Sequence, residues 1–329
     1  MGDPNPAPSP TRVPFGLPAP SGGRPDGSSD GYGPPRERYW LHVVLLAATI
    51  LTTTIVGGEH WLAFKSDFGT REIPTTPAMF LLRGLWYALT VLAILGAHEL
   101  GHYLACRYYR ISATLPYFLP IPFPLTGTAG AFIRIRQPIV SKASLFDIGV
   151  AGPFAGFLIA VPALLIGMTL STLVPLPPDF SGLELGEPLL LKAAEWLVFG
   201  SVPDELSVNL HPMAFAAWFG LLATALNLFP IGQFDGGHIS YAVFGPRALY
   251  VTIATVAIAV GLCFYSSSWI VWTALAVGLL TRFGWRHPPT WDDHVPLDRT
   301  RRWVALGALL VFLLCFTPVP IQPLDLIRP

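Results

Sequence analysis

The sequence predicts an all-α polytopic membrane protein of six to seven transmembrane helices, with a re-entrant β-hairpin between the second and third. Three observations carry this prediction. Of 329 residues, 52% are hydrophobic and 12% charged, about half the charged share usual in soluble domains. Apolar runs of spanning or near-spanning length recur at 39–56, 78–105, 145–174, 212–229, 249–264, 269–283 and 303–316, the last three being short. The segments between these runs differ sharply in charge.

Residues 106–144 carry Arg107, Arg110, Arg134, Arg136 and Lys142 with no acid, whereas 175–211 carry Asp179, Glu184, Glu187, Glu195, Asp204 and Glu205 against the single base Lys192. Basic loops stay in the cytoplasm, so the first segment is expected inside and the second outside. Alternating from there puts the N-terminus inside, together with the segment bearing Arg282, Arg286, Arg299, Arg301 and Arg302. The expected location is a cell membrane, crossed several times. Basic and acidic residues balance at 20 each, so no net field favours a nucleic-acid partner. Cys106, Cys263 and Cys315 are scattered without the spacing of a disulfide framework or a cysteine zinc site.

Residues 1–38 contain ten Pro and seven Gly with few large apolar side chains. Such a segment cannot bury enough surface to offset its chain entropy, so a disordered cytoplasmic tail is expected there. It has the pattern of neither a secretory signal nor a transit peptide. Residues 39–329 form the expected transmembrane domain.

Within the second apolar run stands His98-Glu99-Leu100-Gly101-His102, an H-E-x-x-H pattern. On a helix the two imidazoles project from one face and can share one Zn²⁺, while Glu99 is placed to take a proton from water at the ion. With 8 His in the chain, a chance match is expected about 0.5% of the time. Ionisable groups at membrane depth are costly unless they have partners. At 1.5 Å per residue, His98 is expected roughly 13 Å inside from Arg107.

A zinc site needs a third ligand, and a candidate lies in "NLFPIGQFDGGH", residues 227–238. Pro230 and Gly232 break the fourth run, and the Gly236-Gly237 pair leaves the chain free to turn. Asp235 is then expected on irregular backbone rather than on a helix face. His238 competes with it as third ligand, and Asn227 is equally suited to hydrogen bonding between packed helices; spacing alone decides neither point.

The two motifs together resemble the paired signature of the site-2 protease family of intramembrane zinc metalloproteases, peptidase family M50. His98, Glu99 and His102 match its first motif, and Asn227, Pro230, Asp235, Gly236 and Gly237 match N-x-x-P-x-x-x-x-D-G-G. "GTAGAFIRIR" (127–136) and "SLFDIGVAGPFAGF" (144–157) look like the joining stretches of the EGY-like subgroup, which lacks a PDZ domain. The resemblance covers about 90–245. It implies one Zn²⁺ per chain held by His98, His102 and Asp235, with Glu99 as general base and acid. Asn227 would position substrate or stabilise the oxyanion. It further implies hydrolysis of a peptide bond within or next to the transmembrane segment of a single-span membrane protein in the bilayer. The match favours Asp235 over His238. Phe234 and Gly156 depart from commoner Leu and Asn, and neither loop has room for a PDZ domain.

Three further stretches complete the sequence picture. In "AFIRIR", Phe132, Ile133 and Ile135 interleave with Arg134 and Arg136 at a strand-like period over 132–136. The hairpin this suggests is either re-entrant, with an edge that adds an extended substrate as a strand, or an ordinary cytoplasmic turn. Gly149, Gly152 and Gly156 have the small-residue spacing that allows close packing on the H-E-x-x-H helix, and 188–200 reads as an external interfacial helix. Two other functions use buried His, Glu and Asp: a cation or proton path in a transporter, and a CAAX-type prenyl-protein protease. The absence of an internal repeat weighs against the first, and the N-x-x-P…D-G-G element against the second. Substrate identity, triggering signal and oligomeric state are not legible in the sequence.

Overall fold

The computed structural model describes residues 38–122, 125–177 and 180–325. The Pro/Gly-rich tail expected over 1–38 therefore lies, Arg38 apart, outside the described residues. All seven apolar runs form helices. They are α1 (Tyr39–Lys65), α2 (Pro77–Tyr108), α3 (Lys142–Thr169), α5 (Pro212–Asn227), α7 (Ala248–Leu262), α8 (Ser268–Phe283) and α9 (Arg299–Cys315). Two shorter helices were hidden between them: α4 (Leu189–Phe199), in the stretch expected to be interfacial, and α6 (Asp235–Phe244), which a single 3₁₀ turn joins to α7. Among the described residues, four segments are long and apolar enough to cross a membrane, namely α1, α2, α3 and the continuous stretch Asp235–Leu262; α5 and α8 are apolar but shorter.

The long helices start where the sequence supplies an acceptor for the free N–H groups of a first turn. Thr76 caps α2 by accepting from the Met79 N–H at 3.2 Å, with Pro77 in the first turn. Ser141 accepts from Ser144 at the start of α3, and Asp298 from Arg301 at the start of α9. α1 and α2 cross closely: a Cβ on Gly84 would lie 2.0 Å from the Thr54 carbonyl oxygen, so only glycine fits there. Inside the bundle, Tyr87, Val91, Ile94, Leu164, Trp218 and Leu221 form the centre of the main core, drawn from α2, α3 and α5. Many α1, α7, α8 and α9 side chains remain apolar and exposed, which suits a surface facing hydrocarbon.

Three two-stranded antiparallel ladders complete the fold. β1 (Tyr117–Pro120) pairs with β2 (Thr128–Phe132) between α2 and α3; β3 (Thr172–Val174) pairs with β5 (Ser207–Asn209), and β4 (Ser181–Leu185) with β6 (Ile321–Asp325). The expected strand at 132–136 is displaced: the regular strand ends at Phe132, and beyond it the ribbon continues irregularly, with Ile135 bridging Ala113. The reason is a one-residue slip. Tyr117 opposes Phe132 but Ala113 opposes Ile135, so one extra residue is accommodated on the first strand, a bulge that interrupts the ladder.

The hairpin lies along α1. His42 Nδ1 is 3.0 Å from the Pro116 carbonyl, Thr52 donates to the Gly127 carbonyl at 2.7 Å, and His60 Nε2 is 3.0 Å from that of Leu125. Tyr87 of α2 donates to the Thr126 carbonyl at 2.9 Å. A turn with too few internal backbone bonds thus finds its donors on two helices. Near the start of α3, Asp147 takes a two-pronged contact from Arg301 of α9, at 2.9 and 2.6 Å, and also accepts from the Tyr109 hydroxyl at the end of α2. Paired donors of this kind give directional hold as well as energy.

His211 caps α5 by accepting at Nδ1 from the Met213 N–H, 3.2 Å away. That bond requires an unprotonated nitrogen, and burial, reinforced by Lys65 and Arg83, pushes the ring's pKa down to about 4. A histidine lowered when folded contributes stability above its unfolded pKa of about 6.5, and this is lost as pH falls towards the folded value. We expect the melting temperature to drop between pH 6.5 and 4, and His211→Asn, which caps without titrating, to flatten that part of the profile.

Candidate metal centre

α2 presents His98 and His102 one turn apart, and both are buried, as is Glu99 between them. α3 crosses this face through its small residues. A Cβ on Gly152 would fall 2.1 Å from His102 Nε2, and one on Gly156 3.2 Å from the His98 Cβ. The small-residue stripe therefore packs on the H-E-x-x-H helix as the sequence suggests, and it does so against the two rings themselves. On the same helix, Gly149 faces α6, where an added Cβ would meet His238 at 3.1 Å.

Asp235 is the first residue of α6, following Phe234 in extended conformation. This corrects the expectation of irregular backbone at that position. The Gly-Gly pair does not loosen the chain after the carboxylate. A Cβ on Gly236 would strike the Leu228 carbonyl at 2.0 Å, and one on Gly237 the Gly232 carbonyl at 2.2 Å. Both glycines let the helix start tightly against the preceding turn, which fixes the direction of the Asp235 side chain.

The three side chains converge. Asp235 Oδ2 lies 3.2 Å from His98 Nε2 and 3.2 Å from His102 Nε2, and the two nitrogens are 3.1 Å apart. His102 Nδ1 faces the Ile148 carbonyl at 2.7 Å. A carbonyl only accepts, so the ring proton sits on Nδ1 and Nε2 keeps a lone pair. A carboxylate oxygen and an imidazole lone pair then confront a second imidazole nitrogen inside a buried site, an arrangement that repels itself unless a cation or a proton lies among them. Among the described residues this is the one group of three such side chains close enough to share an ion. Tetrahedral zinc with bonds of about 2.0–2.1 Å separates its ligand atoms by roughly 3.3 Å, so the donor set and its spacing fit.

Asn227, the last residue of α5, brings Nδ2 to 3.5 Å from His98 Nε2. It stands beside the cluster rather than in a remote helix contact. His238 does not join the triad: its Nδ1 lies 2.8 Å from His287 Nε2. Two groups at the site escaped the sequence. His287 comes from the segment between α8 and α9, stacks on Tyr241 at 4.4 Å and donates from Nδ1 to the Pro288 carbonyl. Burial lowers its pKa, so the neutral ring accepts at Nε2 and fixes His238 as the donor. The other is the Ile133 backbone, whose N–H lies near the Glu99 carboxylate. Ile133 follows β2 at the slip in the ribbon, where its N–H is released from strand pairing. A backbone donor has no residue-type signal, and His287 sits in an irregular loop without a motif.

Gly152→Ala is expected to push His102 out of register and lower zinc affinity by about 10–100-fold or more, the range for disturbed ligand support. Gly278→Ala, at a position with nothing within 4 Å of the added carbon, is the matched control and should retain metal. Metal content after dialysis against a graded chelator distinguishes them.

Comparison with known proteins agrees with this geometry. A model of Peptidase family M50 matches residues 86–268, which include both motifs. The chain is 31% identical over 244 residues to "Probable zinc metalloprotease EGY2, chloroplastic" of Arabidopsis thaliana, covering 72% of this chain and 42% of that one. To "Probable zinc metalloprotease EGY1, chloroplastic" of the same plant it is 31% identical over 249 residues, 73% of this chain and 44% of that one. To "Probable zinc metalloprotease EGY3, chloroplastic" of Oryza sativa subsp. indica it is 30% identical over 299 residues, 85% and 48% respectively. The chain thus spans less than half the length of these curated relatives. With a family model matching more than half of its length, around a histidine pair and a carboxylate that meet in space, the chain belongs to peptidase family M50.

Proposed function

We propose that this protein is an intramembrane zinc metalloprotease that hydrolyses peptide bonds within or next to transmembrane segments of single-span membrane proteins. The observation that carries the proposal is the convergence of His98 Nε2, His102 Nε2 and Asp235 Oδ2 within 3.2 Å of one another, with Glu99 next to the first of them on the same helix. His98, His102 and Asp235 would hold the zinc. When bound, zinc polarises the scissile carbonyl and makes water acidic enough to react near neutral pH. Glu99 takes the proton from the attacking water and returns it to the leaving amine. The Ile133 N–H lies near the carboxylate, and the Asn227 amide supplies a donor for the carbonyl oxygen as it gains charge.

The β1–β2 hairpin is read as re-entrant. Its tethers on α1 run from His42 to His60, a rise of roughly 27 Å that approaches the hydrocarbon thickness of a bilayer. β1 packs on α1, with smaller contacts from β2 to α1 and α2, so β2 offers the unpaired edge of the two-stranded ladder, and it leads directly to Ile133, near Glu99. A substrate helix hides its carbonyls and must unwind to be cut; added to this edge as a strand it would be both extended and delivered to the site. The membrane is read as a cell membrane, and the loop charges favour an orientation with the N-terminus and the site towards the cytoplasm.

Glu99→Gln should keep stoichiometric zinc and lower cleavage of a co-expressed single-span substrate by about 10²–10⁴-fold; a transporter would show no such cleavage to lose, and full activity in the variant ends this reading. Ile135→Pro tests strand addition. The neighbouring Arg134 and Arg136 N–H groups pair with Thr114 and Ser112 within the ribbon, so proline at 135 removes an outward N–H and leaves the ribbon intact. Cleavage is expected to fall at least tenfold while zinc content holds, and unchanged cleavage in a folded variant would exclude that binding mode.

A further inference from the structure

On the side of the 228–234 segment away from α2, a groove runs between that segment, α7 and α8. It consists of two adjoining clefts that share Ile231, Phe234 and Ala276. The larger, about 220 Å³, reaches Phe283 and Gly284, and the smaller, about 50 Å³, reaches Trp269 and Trp272. The lining is apolar apart from Gln233 and Thr273, and none of it belongs to α2, β2 or the His-His-Asp triad. The volume falls short of the roughly 300 Å³ at which pockets begin to enclose a whole small ligand. The groove opens instead beside the outer face of α8, where Ile270, Val271 and Leu275 are exposed.

The groove has a charged end. Arg282 holds its guanidinium 5.3 Å from the centre of the Phe283 ring that closes the larger cleft, and Arg286 follows two residues after Gly284. Both arginines are exposed, and among the described residues neither forms an ion pair. The acids that follow are engaged elsewhere: Asp292 accepts from the Lys142 N–H at 2.8 Å and Asp293 from the Tyr241 hydroxyl at 2.7 Å. Two unpaired cations at the mouth of a slot open to hydrocarbon match one chemistry.

We propose that the groove binds an anionic phospholipid, its acyl chain lying along Trp272, Ala276 and Phe234 and its phosphate on Arg282 and Arg286. A soluble anion would gain nothing from the apolar slot, and a neutral lipid nothing from the two arginines. The site also has a route to the metal centre. Phe234 forms part of the wall and immediately precedes Asp235, so an occupied groove holds the ligand-bearing turn from behind.

The primary readout is lipid binding, so failure of the lipid proposal is distinguishable from failure of the proposed protease activity. The full chain in detergent is titrated with phosphatidylglycerol and with phosphatidylcholine, both brominated on the acyl chain. Quenching of tryptophan fluorescence is compared between the native chain and Trp272→Phe. Phosphatidylglycerol is expected to bind at least about tenfold tighter, the scale set by two basic residues at a membrane surface. Arg282→Gln with Arg286→Gln should erase that preference without loss of fold, and Trp272→Phe should reduce the saturable quenching, Trp269 of the same cleft carrying part of the remainder. Ala276→Phe, which fills the groove, should prevent binding of both lipids. Equal affinity for the two lipids, quenching that does not depend on Trp272, or a preference that survives loss of both arginines overturns the proposal. So does an Ala276→Phe variant that still binds phosphatidylglycerol but no longer cleaves a membrane-protein substrate, because the groove would then hold substrate.

Discussion

Three lone-pair-bearing atoms face one another across about 3 Å in the interior of a helical bundle, and most of what surrounds them serves to keep them there. Without a cation such a cluster would spread apart or take up protons, because charge and lone-pair repulsion are strong where water is scarce. The scaffold opposes that spreading from three directions. α3 presses on the two imidazoles through positions that have no side chain. The Ile148 carbonyl ties down the proton of His102 and so dictates which nitrogen looks inward. The tight turn before α6 aims the carboxylate, and an ordered first shell of this kind is what gives a metal site its affinity.

The hairpin is the second structural commitment. Its backbone is poor in partners of its own, and four side chains of α1 and α2 supply donors along its length. This explains why threonine, histidine and tyrosine occur on helices that are otherwise apolar. The ring of His42 stacks on Tyr117 at 4.0 Å, and Tyr117 stacks on Phe132 at 5.3 Å. Position along α1 is thereby transmitted through rigid planes to the strand end next to Glu99.

How much of this was legible follows from which interactions leave a residue-type signature. Helix positions were readable because spanning runs are long and apolar, and the two histidines because i and i+4 share a face. Asp235 was readable from its motif, but its backbone setting was not: paired glycines signal freedom in isolation, and only the packed structure shows that carbonyl oxygens occupy the space where their side chains would be. The strand near 132–136 was misplaced because alternation of Ile and Arg continues past the slip that ends regular pairing. His238 was ambiguous until the structure supplied His287 as its partner, a contact between residues 49 apart that no local pattern records.

The tie from Arg301 to Asp147 and Tyr109 joins α9 to the ends of α3 and α2. The match to the family model ends at residue 268, some thirty residues before that arginine. The stretch matched by the family model and the stretch that folds are therefore not the same length: α9, outside the matched region, neutralises a carboxylate on α3, the helix that packs against both histidines. The boundary of the family model therefore understates the boundary of the folded unit that holds the site.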